Sequence, residues 1–556
     1  MINFAGVFRG SSRAIPLQRA GGNRGLPFES HGEEIRAASA GGSNGIRRQP
    51  KGSMKHKGQY VLAILAMVSA ALIVFFGTRW GPAASDDTLS YVMAGENLVQ
   101  GHGLTILSPD GSFVPLTHFP PMLSILISLP VALGAGPLEG LRWLYAILFG
   151  VNTLLTAISA RSLTRSLPLG IFAGVSVLIS ETMILVHTEA MSEGLFLLFS
   201  LGTLILLDRY LDRRRLPELL LAAAFAAAAS LTRYVGGAVI LTGTVTLVRC
   251  LPKESRSYRA AVGFLLIASL PITLWAGRNL LLMGNPFARS VDWLPVDHEF
   301  IVQVVSVVLT WFLPGRFVQA IQPHLAVVTV LATVVAAVLY LYKASRSFRT
   351  SQAVSRPLLW SLAIYGPIYL AAIVVAKSLF DERIFIDNRM LSPLLQPLII
   401  LFCVGVNQLV RVFGRRVAPA LGGCLLVLGL LWVQRAWTFL TYAHESGRGY
   451  TSRGYHSSDT IATVRRLEEV PVYTNAAAAV YFWTGRSVHS LGGVDVIKRN
   501  LAEDCGVIVV FDSIAPELYG TTKEEISLGL VQVERRDGDF FFDAACSKEL
   551  ETLLGR

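Results

Sequence analysis

The sequence predicts a mainly α protein: a polytopic bundle of membrane helices, about 11–13 spans, with a small α/β or α+β domain at its C-terminal end. Three observations predict it. Of the 556 residues, 52% are hydrophobic and 16% charged, with a mean hydropathy of +0.51, whereas soluble domains carry charge nearer about a quarter. Apolar runs of about 20 residues, the length that crosses a bilayer core, recur between residues 58 and 434. From residue 435 onward these runs give way to short strand-like and amphipathic patterns.

Residues 1–57 are rich in Arg, Gly and Ser and lack apolar periodicity, the composition of a disordered basic tail. Two readings stay open for it: a basic cytoplasmic tail, or an extension ahead of a start at Met54. No signal-peptide cleavage pattern precedes the first apolar run, 58–78, so that run is expected to remain as an anchor. The further candidates are 120–136, 139–160, 168–186, 192–207, 217–232, 235–250, 260–282, 300–314, 325–342, 358–376, 390–410 and 417–434.

Charge then orients the chain. The net charge is +11, but the Lys and Arg residues gather in short loops between apolar runs. That is positive-inside patterning, so a nucleic-acid partner is not expected. If every run crosses, "RSLTRS", "DRYLDRRR" and "PKESRSYR" fall on the outside, against that rule. Two runs are short and irregular: 120–136 opens on Pro-Pro, and 300–314 ends in "LPGR". If these re-enter or lie at the interface, about eleven crossings remain, and the tail with loops 161–166, 208–215, 251–259, 343–356 and 411–416 all face the cytoplasm. This arrangement is preferred. It makes 58–434 the membrane domain, with an outer loop at 79–120, and puts 435–556 outside as a soluble domain.

Within 435–556, "VPVYTNAAAAVYFWTG" and "CGVIVVFDS" read as buried strands or a strand–helix pair. "DTIATVRRLEEV" reads as an amphipathic helix, and "LVQVERRDGDFFFDAAC" as a hairpin turning at Asp537-Gly538. The five cysteines form no Cys-x-x-Cys, which disfavours a metal knuckle. Cys250, Cys403 and Cys424 are expected in core packing. Cys505 and Cys546 are able to pair if their domain faces an oxidising compartment.

The preferred topology collects the unusual polar residues on one side: Asp86, Asp87, His118, Glu189, Glu193, Arg233, Asp292, Asp297, Glu299, Asp381, Glu382, Arg383 and Arg389. Polar groups flanked by apolar helices are the expected make-up of a site at the bilayer surface. The stretch "SDDTLSYVMAGENLVQGHGL" opens with N-cap residue types and ends on Gly101-His102-Gly103, so a helix is expected between them. Asp87, Tyr91, Ala94 and Leu98 share one of its faces. A single cap needs one side chain. The second carboxylate is then free to act, for example as a general base toward a hydroxyl.

Arg233, Arg278 and Arg389 lie in or beside apolar runs, where each needs a partner or a wet cavity. An anionic head group is one such partner, held bidentately; snorkelling or an acidic neighbour is the other. Arg278 lies about a turn deeper and suits a bracing role as well. Glu193 starts a run and Glu189 stands one helical turn earlier. They suit helix dipoles, the ordering of an acceptor, or a divalent cation shared with Asp87. No ligand spacing establishes a metal. His118, ahead of Pro120-Pro121, suits either a head-group contact or a loop turn. Lys377 and the acids after it form a charged loop where a lid could lie.

These motifs carry a resemblance. "SDDTLSYVMAGENLVQGHGL" followed by "LTHFPPMLSILISLP" resembles the first outer loop of GT-C glycosyltransferases, in the branch holding protein O-mannosyltransferases and the aminoarabinose transferase that acts on lipid A. Asp87, Tyr91, Ala94, Gly101, Gly103, His118, Pro120 and Pro121 fit that order. "HTEAMSEGLFLLFSL", "LTRYVGGAVIL", "WAGRNLLLMGNPF" and "NRMLSPLLQPLII" are similar to later segments of it, and together they cover roughly residues 58–435. The resemblance implies transfer of a sugar from a polyprenyl-phosphate donor to an envelope acceptor, with inversion, at the periplasmic face of a bacterial inner membrane. It implies Asp87 as the base, although some members carry Glu after that Asp where this chain has Thr88. The extra acid here is Asp86, which leaves two candidates. With such a donor, Arg233, Arg389, Arg278 and His118 are the candidates for its phosphate by their place beside apolar runs, and Glu193, Glu189 and Tyr91 for orienting an acceptor or a metal. Membrane lipid is the surrounding partner. No P-loop, dinucleotide fingerprint or HExxH motif is present. A transporter or flippase is the competing class, and it should show paired interrupted repeats.

Overall fold

Helices of membrane-spanning length dominate the fold, because in lipid the backbone must satisfy its own hydrogen bonds. Among the described residues, seven are long and apolar enough to cross: α1 (Gln59–Gly77), α4 (Pro137–Thr164), α7 (Glu193–Arg213), α10 (Tyr258–Met283), and the helices Pro357–Leu379, Asn388–Phe413 and Ala418–Ser446. The bent pair α5 (Leu167–Leu178) and α6 (Glu181–Thr188), at 54° to each other, has the length and composition of either a broken span or a re-entrant loop. The shorter apolar helices among the described residues are α3 (Met122–Ala132), α8 (Leu216–Thr232), α9 (Gly237–Cys250), which is preceded by a short 3₁₀ turn, and α11 (His298–Phe312). Segments 120–136 and 300–314 correspond to α3 and α11. At about 1.5 Å per residue neither reaches the about 30 Å of a hydrocarbon core.

The computed structural model describes residues 52–554 apart from 109–110, 252–254, 290, 292, 294, 296–297, 314–317, 319–356, 381–385, 468–469, 492–496, 499–500, 502–503 and 513–521. The run 325–342, the loop 343–356 and Asp292, Asp297, Asp381, Glu382 and Arg383 lie outside the described residues.

Between α1 and α4 the chain makes α2 (Asp86–Val99), a two-stranded hairpin of β1 (Thr105–Leu107) and β2 (Phe113–Pro115), and α3. Helix α2 ends before Gly101 and Gly103, both with left-handed φ. The N-cap is Ser85 rather than Asp86, and the Thr88 hydroxyl accepts from the Ser85 N–H at 3.0 Å. Capping therefore claims neither aspartate.

Helix α8 packs back along α7, with Phe225 against Gly202 and the Phe199 ring, and its alanines Ala222, Ala223, Ala226 and Ala229 are fully buried, small enough for close backbone approach. Because the pair is antiparallel, the C-terminal end of α8 comes to lie beside the start of α7. The last long helix, read from sequence as an apolar run ending at 434, continues to Ser446.

The C-terminal region carries a five-stranded sheet in the order β4-β3-β5-β7-β6. Its strands are β3 (Val472–Thr474), β4 (His489–Ser490), β5 (Val507–Phe511), β6 (Val531–Glu534) and β7 (Gly538–Phe542). Strand β3 is parallel to β4 and β5, while β7 is antiparallel to β5 and β6. The β6–β7 hairpin turns at the Asp537-Gly538 signal. Strand β5 is buried at every residue, as its unbroken apolar run requires. Cys505 and Cys546 form a disulfide. Of the remaining cysteines, Cys403 is buried and Cys250 half-buried, but Cys424 is exposed. The expectation of core packing for Cys424 is corrected: it lies on the open flank of the Ala418–Ser446 helix, whose large apolar side chains are also exposed.

Candidate active site

Three chain segments from distant parts of the sequence lie side by side at the N-terminus of α2. Ala83 bridges to Glu189 and Ala84 to Gly449, both in parallel. The backbone bonds Ala83 N–H to Thr188 O, Ala190 N–H to Ala83 O and Tyr450 N–H to Ala84 O are each 2.9 Å. The bridge to Ala84 demands a glycine. Gly449 has φ +60°, and an added Cβ would stand 2.1 Å from the Ala84 carbonyl oxygen.

This clasp sets the carboxylates. Asp86 is exposed and accepts the Tyr450 hydroxyl. Asp87, half-buried one residue on, turns to the face it shares with Tyr91. Burial pushes its carboxyl above the ordinary carboxylate range; Arg389 opposes this, Glu193 adds to it, and Arg233 and Asp86 act more weakly in the same two senses. Tyr91 is buried, hydrogen-bonds Ser192 and has its hydroxyl pKa raised by burial. Its ring meets Phe119 at 4.8 Å.

Glu193 is 2% exposed at the first position of α7. The antiparallel α7–α8 hairpin brings Arg233 onto it as a direct ion pair, and Arg233 also reaches Ser192 Oγ at 3.5 Å. Glu193 Oε2 is buried without a hydrogen-bond partner. The placement of Glu189 one helical turn before Glu193 is corrected. Glu189 sits in the break between α6 and α7 on extended backbone, φ −103° and ψ 142°, because bridging to Ala83 pulls that residue out of helix. Its buried carboxylate lies 2.7 Å from Arg448 and 3.9 Å from Arg389. Burial raises its pKa, and Arg448 and then Arg389 pull it down.

Arg389 stands two residues past Asp387, which caps the following helical turn by accepting the Met390 N–H at 2.8 Å and pairs with Arg389 Nε at 3.1 Å. Thus Asp87, Glu193, Glu189, Arg233 and Arg389 form one electrostatic cluster, with Asp86 and Tyr91 at its edge.

Arg278 and His118 are placed differently. The Arg278 guanidinium donates to Leu116 O at 3.0 Å and Leu104 O at 3.3 Å and lies over the Trp275 ring. It braces the β1–β2 hairpin. His118 is exposed, 3.3 Å from the Arg289 guanidinium. Tyr234 adds a further brace, donating to Thr117 O at 2.8 Å. Among the described residues no group of three or more His, Cys, Asp or Glu converges to hold a metal ion, and the Glu193 carboxylate already faces a guanidinium.

Sequence reasoning missed Arg448 and Tyr450. Both sit in "GRGY", just after the last apolar helix, where Gly-x-Gly signals a turn but nothing reveals what the turn docks against.

No protein-family model matches the chain, and no curated relative matches it. Solved structures do. ArnT from Cupriavidus metallidurans in the apo state shares 14% identity at a TM-score of 0.55, over 90% of this chain and 100% of that one. The same protein bound to undecaprenyl phosphate shares 14% at 0.52, over 87% and 98%. The mycobacterial arabinofuranosyltransferase AftD shares 13% at 0.52, over 86% of this chain and 41% of that longer one. Overlap this extensive at such low identity is a likeness of fold: in fold, this chain is similar to ArnT over almost the whole of both chains and to part of AftD.

Proposed function

We propose that this chain is a membrane glycosyltransferase that moves a sugar from a polyprenyl-phosphate donor to a hydroxyl of an envelope acceptor, at the non-cytoplasmic face of a bacterial inner membrane. The observation that carries the reading is a half-buried carboxylate, Asp87, in the field of the Arg389 and Arg233 guanidinium groups, beside the buried Glu193–Arg233 pair. Asp87 takes the acceptor proton; the acceptor oxygen bonds to the anomeric carbon as the carbon–oxygen bond to phosphate breaks. The electron pair leaves with the polyprenyl phosphate, and a single displacement inverts the centre. Arg389 stabilises the charge that grows on the phosphate. Arg233 is committed to Glu193, so its part is to hold that carboxylate, which faces the acceptor side. Asp86, occupied by Tyr450, is the weaker candidate for the base. Arg278 and His118 shape the adjoining loop.

Two features support the sidedness: the positive-inside loops and the Cys505–Cys546 disulfide, which belongs to an oxidising compartment. The fold likeness supports the donor class, since one of the similar structures, ArnT, holds undecaprenyl phosphate.

The test is mass spectrometry of envelope lipids and glycans from cells with the wild-type chain, Asp87→Asn and Asp86→Asn. Removing a general base costs about 10²–10⁴-fold. Asp87→Asn is expected to lose the product at normal protein level while Asp86→Asn keeps most of it. Undiminished product in Asp87→Asn would overturn the mechanism.

A further inference from the structure

Glu189 is a buried carboxylate facing two guanidinium groups, and the nearer one arrives from the far end of the chain. Arg448 lies 2.7 Å from it, Arg389 3.9 Å. The turn that delivers Arg448 is held firmly: Thr451 Oγ1 donates to Pro82 O at 2.9 Å, and Ser452 N–H to Gly449 O at 3.0 Å. The Arg448 guanidinium also lies 4.9 Å from the Phe439 ring centroid, a cation–π contact that fixes it from below. Arg389 is in demand from several directions: Asp387 at 3.1 Å, Glu189 at 3.9 Å and the field of Asp87.

A buried carboxylate does not stay uncompensated. Without Arg448, the charge left to Glu189 is Arg389, and attraction strengthens as separation falls. Arg389 would close on Glu189 and withdraw from the mouth of the site. We infer that Arg448 is a positioning residue: by neutralising Glu189 it leaves Arg389 available to the phosphate of a polyprenyl-phosphate donor. This rests on the reading of Arg389 given above.

The experiment uses the full chain in detergent, with undecaprenyl phosphate as probe and native mass spectrometry reading its affinity. Arg448→Met is expected to weaken binding by about tenfold or more, the size of a lost charge-assisted contact. Arg448→Lys should bind near the wild-type level, because the charge is kept. The decisive variant is Glu189→Gln with Arg448→Met, which removes the acid that captures Arg389 and should recover most of the affinity. Direct contact of Arg448 with phosphate gives no such rescue, and its absence would overturn the inference; a merely structural role would also be relieved by removing the acid, so melting is read beside binding, and an Arg448→Met loss of affinity that only follows a fall in melting temperature would overturn the inference as well. So would Arg448→Met binding as tightly as the wild type. A wild-type chain that does not bind the probe, together with unchanged product in Asp87→Asn cells, would instead overturn the function itself.

Discussion

Asp87 works under opposed pressures, and its pH behaviour follows. Burial, Glu193 and Asp86 raise its pKa, while Arg389 and Arg233 lower it, with a net upward shift. A general base must be ionised, so transfer falls as pH drops through this raised value. The acid limb of the rate in isolated membranes is therefore expected above the about 3.9 of a free aspartate. A limb at or below that value would exclude Asp87 as the base. At this scale the sequence revealed which residues are unusual but not how they pair. Asp87, Arg233, Arg389 and Glu193 stand out because charge beside apolar runs is costly. That Arg233 takes Glu193 while Arg278 goes to backbone carbonyls depends on which helix ends meet, and periodicity carries no record of that.

Among elements, the parallel contacts at Ala83, Glu189 and Gly449 matter most. A side chain at residue 449 would meet the Ala84 carbonyl and also strain a left-handed φ. Gly449→Ala is expected to cost about 1–3 kcal/mol from backbone strain alone, and to lower both thermal stability and transfer. Unchanged melting together with full activity would show that the clasp yields easily. Helix α2 was legible from its caps and glycines, and the β6–β7 hairpin from Asp537-Gly538. The break at Glu189 was not, because a four-residue spacing of acids reads as continuous helix until tertiary pairing overrides it.

For the whole molecule, the mainly α bundle with a small mixed domain was legible from composition and run length, since lipid leaves the backbone few alternatives. The exposed flank bearing Cys424 was less so, because hydropathy does not separate protein-facing from lipid-facing positions. The Cys505–Cys546 disulfide spans 41 positions, and removing such a bridge costs about 2–4 kcal/mol. Cys505→Ser with Cys546→Ser should make the C-terminal domain open to protease at lower temperature while the spans stay intact. Alkylation of both thiols in the unreduced wild-type chain would refute the pairing. The clasp also bears on timing. Tyr450 and the Asp86 it holds are 364 positions apart, so most of the chain must be synthesised before this corner can close. A product that stops short of Gly449 would carry the long helices through Ala418–Ser446 and still lack the backbone contact that seats Ala84.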